Sequence, residues 1–250
     1  MISLTPRNVR KGRSAIIAPG FRLWRQPDPA APDAALAAPR TLPQSPMLEA
    51  QDLAARRGFA RLFSGLSFRV AQGEALVVTG ANGTGKTTLL RMLAGLSAPS
   101  AGEIRWSGAI VAPLDPVLRG VLAFAGHLPA LKDELTAEEN LRSLLALEGV
   151  AVPDAALDSA LDDVALGRQR ALPARVLSQG QRRRIGLARL SLSPRPLWIL
   201  DEPVTALDAA GIALLARVVA GHLAKGGLAV AATHAPLGLP ESRVRALALA

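Results

Sequence analysis

Eight consecutive residues of this chain have the types and spacing that hold a chain of phosphates. The run comprises Gly80, Ala81, Asn82, Gly83, Thr84, Gly85, Lys86 and Thr87, with Thr88 directly after it. It has the pattern G-x-x-x-x-G-K-[ST], in which glycines let the backbone curl until successive N–H groups point at phosphate oxygens. We expect Lys86 to lie on the β- and γ-phosphates and the Thr87 hydroxyl on Mg²⁺, and we expect the Lys86 side chain to face solvent until phosphate arrives. The pattern predicts a site for a nucleoside triphosphate.

Two adjacent carboxylates follow an apolar run far downstream. Residues 197–200 lead directly into Asp201 and Glu202. Such a run is typical of a buried parallel strand that delivers carboxylates to its C-terminal end. Asp201 can hold Mg²⁺ through water, and Glu202 can polarise the water that attacks a phosphate.

A short polar loop lies between these two motifs in the chain. Its residues are Ser178, Gln179, Gly180 and Gln181, and the arginines Arg182, Arg183 and Arg184 follow on a predicted helix. Ser178 and Gln181 have capping-box spacing, which places the loop at a helix N-terminus. An exposed helix N-terminus of small residues is suited to a second anion contact.

The order of these three motifs resembles that of the ATP-binding-cassette transporter ATPases, from about Met47 to the C-terminus. Asp208 occupies the position of the family's D-loop, and His234 matches its switch histidine. Asp208 could instead cap the following helix, and His234 could be an ordinary loop residue. The resemblance implies an α/β fold with a phosphate-loop parallel sheet core, an antiparallel β subdomain and an inserted helical subdomain at about residues 128–192.

The same resemblance implies ATP as the nucleotide and roles for each motif. Lys86 would neutralise charge on the transferred phosphoryl group, Thr87 and Asp201 would hold Mg²⁺, and Glu202 would orient the attacking water. His234 would contact the γ-phosphate. The loop from Ser178 to Gln181 would face the phosphate loop of a second copy of the chain, so that two ATP molecules lie between two subunits, and Asp208 would be among the nucleotide-binding residues.

Two positions depart from the family pattern. His127 stands where a glutamine usually contacts Mg²⁺ and the membrane subunit, at the end of residues 122–127. The aromatic residue that stacks on adenine is also displaced, since Arg57 lies near its position and Phe59 follows two residues later. Arg57 could stack its guanidinium plane on the base or could be solvated.

Within the family, residues 62–68, 126–127 and 177–184 are most similar to the ATPase subunits of haem exporters used in cytochrome c maturation. This implies a peripheral subunit at the cytoplasmic face of the inner membrane, bound to integral membrane transporter subunits. The alternatives are the ATPase of another small exporter or importer and a soluble cassette ATPase. A phosphate-loop kinase or GTPase would leave both the Ser178 loop and His234 unexplained.

Composition limits the partners. The chain has 250 residues, a net charge of +9, 3% aromatic residues and no cysteine. Residues 1–46 hold seven basic and two acidic residues, which predicts a disordered basic extension before an ATPase domain at 47–250, with an organellar transit peptide as the alternative. The modest charge of the remainder and the scarcity of aromatic residues argue against a nucleic-acid partner. No apolar run is long enough to span a membrane, and disulfides are excluded.

Periodicity and turn signals give a coarse element order. They predict short strands at 48–52, 62–63 and 66–70 with a turn at Gly58, helices at 86–96 and 136–148, and further helices around Leu157, after Ser178 and around Leu215. The leucines of these helices are expected to form the core.

Overall fold

The computed structural model describes residues 46–127 and 129–249. The basic extension predicted for residues 1–46 therefore lies outside the described residues, except for Pro46. The strands are β1 (Met47–Arg57), β2 (Ala60–Ala71), β3 (Ala75–Thr79), β4 (Ala101–Trp106), β5 (Ala109–Ile110), β6 (Leu122–Ala125), β7 (Leu197–Asp201), β8 (Leu228–Ala232) and β9 (Val244–Ala248). The helices are α1 (Lys86–Leu93), α2 (Pro116–Val121), α3 (Ala137–Leu147), α4 (Asp154–Asp163), α5 (Gln179–Leu192) and α6 (Ala209–Ala224).

A five-stranded parallel sheet carries the phosphate loop. Its strand order is β6-β7-β8-β3-β9, and every residue of β7 and β8 is buried. All of these strands run in the same direction, so their carboxyl ends meet at one edge. The loop after Thr79, the Asp201–Glu202 pair and Thr233 consequently leave the sheet at that edge, where ligands bind in open α/β sheets.

A four-stranded antiparallel sheet in the order β2-β1-β4-β5 packs against α1. Its apolar residues Leu48, Phe63 and Trp106 share a core with Leu89 and Leu93 of α1. The turn at Gly58 is confirmed, but the three short strands predicted here are wrong, because they form two long ones. The α/β fold class with separate parallel and antiparallel sheets is confirmed.

Helix α1 ends three residues earlier than the sequence predicts. Gly95 takes a left-handed conformation with φ of 69°. The amide of Leu96 donates to the Arg91 carbonyl and that of Gly95 to the Met92 carbonyl, at 2.8 and 2.9 Å. This pair of bonds is a Schellman motif, which satisfies the last carbonyls of the helix and stops it.

Helices α3, α4 and α5 pack through leucine stripes, as the sequence predicts. Leu141, Leu145, Leu157, Leu161 and Ile185 are at most 1% exposed. The capping box that begins α3 is confirmed, since Thr136 Oγ1 accepts from the Glu139 amide and the Glu139 carboxylate accepts from the Thr136 amide. Within the described ranges, no helix combines the length and apolar character needed to cross a bilayer.

His222 of α6 is largely buried, and its protonation is expected to destabilise the fold. Its ring stacks on Trp198 with centroids 3.7 Å apart, and Nε2 lies 3.3 Å from the Leu228 carbonyl oxygen. Burial lowers the pKa of His222 below its ordinary value, although the carbonyl contact opposes this. The unfolded chain therefore binds the proton more readily, and stability is lost as the pH falls through and below the ordinary histidine pKa.

We expect His222→Phe to reduce this loss, because phenylalanine keeps the stack on Trp198 and has no proton to gain. The free energy of unfolding, measured in urea at about pH 7.5 and about pH 5.5, should decline less in the variant than in the parent chain. An equal decline in both proteins would show that another group is responsible.

Candidate active site

The phosphate loop links β3 to α1 through three glycines with positive φ. These angles are 143° at Gly80, 90° at Gly83 and 102° at Gly85. A Cβ on Gly80 would lie 2.5 Å from the Leu249 carbonyl oxygen, so no side chain fits there. Among the described residues, no side chain caps the first turn of α1. Its N–H groups are therefore left for an anionic ligand.

Lys86 is buried within this loop, and the expectation that it faces solvent is wrong. Its side chain is 8% exposed, and Nζ donates to the Gly80 and Ala81 carbonyl oxygens at 2.8 and 3.1 Å. A buried ammonium needs oxygen partners, and the loop carbonyls provide them. The charge is thus held inside the cradle, where the phosphates of a nucleotide would lie.

Thr87 and Asp201 meet across the edge of the parallel sheet. The Thr87 hydroxyl donates to Asp201 Oδ1 at 3.3 Å, and Asp201 is 4% exposed at the end of β7. Hydroxyl and carboxylate oxygens are ligands that Mg²⁺ prefers. The two residues fit the predicted metal site, while Thr88 follows on α1 and is half-buried.

Glu202 is held in an unusual backbone conformation beside His234. Its φ is 50°, in the left-handed region that residues with a side chain rarely adopt, and its amide donates to the Ala232 carbonyl at 2.9 Å. His234 Nε2 lies 3.4 Å from Glu202 Oε1 and 3.1 Å from Asn82 Oδ1. Such strain is concentrated at functional sites, because the surrounding structure must enforce it.

Asn82 is the residue whose contact the sequence did not foresee. It belongs to the predicted phosphate loop, but nothing in the pattern indicates that its side chain reaches a histidine 152 positions later. The contact joins the loop to the end of β8. Together with the contacts of Lys86 to the loop, Thr87 to Asp201 and Glu202 to His234, it defines a first cluster. The cluster comprises Asn82, Lys86, Thr87, Asp201, Glu202 and His234.

A second cluster is built around the N-terminus of α5. Ser178 Oγ accepts from the Gln181 amide at 3.2 Å, and Gln181 Oε1 accepts from the Ser178 amide at 2.9 Å, so the predicted capping box is confirmed. Ser178 and Gln179 are exposed, and Gly180 is partly buried. A Cβ on Gly180 would lie 3.1 Å from the Ala206 carbonyl oxygen, which places this loop against the residues just before Asp208.

Asp208 caps α6, as one of the two interpretations of the sequence expects. Its Oδ1 accepts from the Gly211 amide at 2.7 Å and from the Arg184 guanidinium at 3.3 Å. The amide contact is the main reason why the pKa of Asp208 is lowered. Within residues 46–127 and 129–249, no hydrogen bond or ion pair joins this second cluster to the first.

The two departures from the family pattern both lie at the surface. Arg57 and Phe59 flank the Gly58 turn between β1 and β2, where Phe59 is fully exposed. The His127 side chain is exposed just after β6, and its carbonyl oxygen accepts from Arg183. Neither arrangement identifies the residue that would stack on a base.

The chain matches known proteins in sequence. The family model described as ABC transporter matches residues 63–205, more than half of the chain. The cytochrome c biogenesis ATP-binding export protein CcmA of Nitrosomonas europaea is 48% identical over 81% of this chain and 95% of its own length. The protein of the same name from Aromatoleum aromaticum is 52% identical over 79% of this chain and 94% of its own length.

Solved structures match the fold. An ABC transporter ATP-binding protein from Pyrococcus furiosus aligns with a TM-score of 0.71 and 24% identity, covering 81% of this chain and 97% of that one. A dimeric ATP-binding cassette in a post-hydrolysis state with ADP and Pi aligns with a TM-score of 0.66 and 22% identity, covering 75% and 88%. The family model, the two relatives and the order of the motifs agree: the chain belongs to the ABC transporter family, as one of its ATP-binding proteins.

Proposed function

We propose that this chain is the ATP-hydrolysing subunit of an export complex that serves cytochrome c biogenesis. The observation that carries the proposal is the match to relatives of that printed role at 48% and 52% identity over nearly their whole length. The similarity of residues 62–68, 126–127 and 177–184 to haem-exporter ATPases supports haem, or a haem-loaded chaperone, as the cargo. We assign the ATPase domain to residues 47–250, with a helical subdomain at about 128–192.

The first cluster supplies the groups that ATP hydrolysis needs. Lys86 and the free N–H groups of α1 would bind the β- and γ-phosphates and stabilise charge that develops there. Glu202 would accept a proton from the attacking water, and His234 would keep that carboxylate oriented through their 3.4 Å contact. Thr87 and Asp201 would hold Mg²⁺, which neutralises charge on phosphate oxygens when it is bound.

The second cluster supports assembly with another copy of the chain. Ser178 and Gln179 are exposed at a helix N-terminus, with no hydrogen bond among the described residues to the phosphate loop of their own chain. We propose that this loop and Asp208 complete the ATP site of a partner copy. The related cassette of known structure that carries ADP and Pi is a dimer, which supports this arrangement.

An apolar groove supports binding of integral membrane subunits. Leu96 and Leu147 are 51% and 86% exposed, and with Phe124 they line a groove of about 540 Å³. Arg119 and Arg195 border the same groove together with Glu148, whose carboxylate is already paired with Arg189. We propose that a segment of a membrane subunit binds here with apolar and acidic side chains, which holds the chain peripherally at the cytoplasmic face of the inner membrane.

Affinity purification of the tagged chain from membranes tests this function. We expect integral membrane proteins of an exporter for cytochrome c biogenesis to copurify in fixed ratio. Recovery with the membrane subunits of a different transporter would contradict the cargo, and recovery without any integral protein would contradict the membrane partner.

We expect Leu147→Asp to reduce this copurification about tenfold or more, because a charge replaces an apolar contact at the groove. The side chain is largely exposed, so folding and ATP hydrolysis by the isolated chain should not change. Ile110→Asp, at an exposed apolar position of β5 outside the groove, is the matched control. Equal recovery of both variants would place the partner elsewhere.

A further inference from the structure

Three arginines attach the region of α5 to the backbone around β6. Arg183 Nη2 donates to the His127 carbonyl oxygen at 2.6 Å, and Arg189 Nη2 donates to that of Phe124 at 2.6 Å. Arg195, just after α5, donates to the Gly120 carbonyl oxygen. We name these three residues the arginine clamp. Its acceptors are spaced along residues 120–127, the segment that ends at His127.

The clamp is built from guanidinium groups that have lost much of their water. Arg189 and Glu148 form an ion pair at 2.8 Å, with side chains only 14% and 15% exposed. In the described part of the chain, the Arg195 Nε is buried without a hydrogen-bond partner. Buried ion pairs contribute little net stability, because desolvation offsets the attraction. The arrangement instead fixes the position of residues 120–127 relative to α5.

Arg183 is the member of the clamp nearest to the hydrolytic carboxylates. It lines a cavity of about 230 Å³ together with Gly126, Leu200 and Pro203, and the last two residues flank the Asp201–Glu202 pair. Burial lowers the pKa of Arg183, and the charges of Glu202 and Asp201 oppose that effect. The Arg183 side chain thus contacts the end of the segment 120–127 and interacts electrostatically with both carboxylates. Its backbone belongs to α5, the helix that begins at the Ser178 loop.

We propose that Arg183 is a positioning residue for ATP hydrolysis, which fixes the segment ending at His127 and the N-terminal half of α5 in one orientation relative to Glu202. Arg189 and Arg195 anchor the same segment further back. A displacement of residues 120–127 therefore moves α5, and the Ser178 loop moves with it because it is the cap of that helix. The inference depends on the ATPase site alone, so it does not depend on which cargo or membrane subunit the chain serves.

Arg183→Met tests the proposal, since methionine keeps the apolar stem and loses every donor. We expect kcat for ATP to fall about tenfold while KM changes less than about twofold. The variant loses one charge-assisted hydrogen bond, and that bond positions catalytic groups without contacting ATP. Amide hydrogen exchange in the nucleotide-free protein should accelerate in the peptide that covers residues 122–131. Arg183→Lys, which retains one donor group, should restore part of both kcat and protection.

Arg168→Met is the control, because Arg168 is an exposed arginine of the same helical region. Its kcat and its exchange in residues 122–131 should equal those of the parent chain. If Arg183→Met behaves like this control, the proposal is overturned. A second result would also overturn it: a fall in kcat accompanied by faster exchange throughout the domain, with no recovery in Arg183→Lys. That result would show that Arg183 serves the stability of the fold and not the position of one segment.

Discussion

Glu202→Gln is expected to bind ATP with nearly parental affinity and to hydrolyse it about 10² to 10⁴ times more slowly, the usual contribution of a positioned general base. The amide has the size of the carboxylate, so the backbone at φ of 50° and the contact with the Ala232 carbonyl should persist. Lys86 and Asp201, the residues proposed to bind phosphate and metal, are unchanged. Single-turnover hydrolysis and ATP binding, measured on the same preparation, separate the two effects.

Glu134→Gln is the matched control for this prediction, because Glu134 is exposed in the helical region and lies outside the first cluster. It should hydrolyse ATP at the parental rate. Near-parental turnover by Glu202→Gln would mean that another group activates the water. His234 would then be the next candidate, since its Nε2 lies between Asn82 and Glu202.

Local patterns were sufficient to predict the parts of the site that lie within a few residues of each other. The phosphate loop and both capping boxes are fixed by residue types at short spacing, and the structure contains them where the sequence places them. Asp201 and Glu202 could be placed at a strand end because a short apolar run precedes them. These features depend on hydrogen bonds between near neighbours, which sequence spacing expresses directly.

Contacts between distant segments were the part that sequence could not supply. The sequence does not predict strand β9, because Val244–Ala248 is short and has little apolar alternation. In the structure this strand pairs with β3, and the next residue, Leu249, lies against Gly80. The first strand was predicted too short, since the ladder is interrupted near Asp52, whose φ is 50° and whose amide donates to Ser67. A bulge of this kind breaks the alternation while the strand continues.

The arginine run after Ser178 shows the same limit. The sequence does not indicate which groups accept hydrogen bonds from Arg182, Arg183 and Arg184, because the three acceptors lie 24 to 56 positions away in the chain. In the fold, Arg182 reaches Asp133, Arg183 reaches His127 and Arg184 reaches Asp208. Helix α5, which begins at the Ser178 loop, is therefore held on one side by the bond from Arg183 to His127 and on the other by the bond from Arg184 to Asp208. These contacts fix the orientation of the Ser178 loop, and a substitution at Ser178 tests what that loop does.

Ser178→Arg is expected to abolish ATP hydrolysis while leaving ATP binding to the isolated chain nearly unchanged. The substitution removes the cap of α5 and puts a bulky cation on the surface proposed to close over a partner's nucleotide. Binding should survive because Lys86, Thr87 and Asp201 belong to the first cluster. Ser143→Arg, at an exposed serine of α3, is the control and should keep both binding and hydrolysis.

Mixing Ser178→Arg with Lys86→Ala makes the assembly itself measurable. Lys86→Ala alone should lose ATP binding, since the buried ammonium is removed from the loop, and circular dichroism should confirm that it remains folded. In a mixed dimer one composite site receives both substitutions and the other receives neither. If each site can act singly, a one-to-one mixture should recover about a quarter of the parental ATPase rate, because half of randomly formed dimers are mixed and each has one intact site. Loss of ATP binding in isolated Ser178→Arg would instead place the loop in the site of its own chain and contradict the proposed dimer.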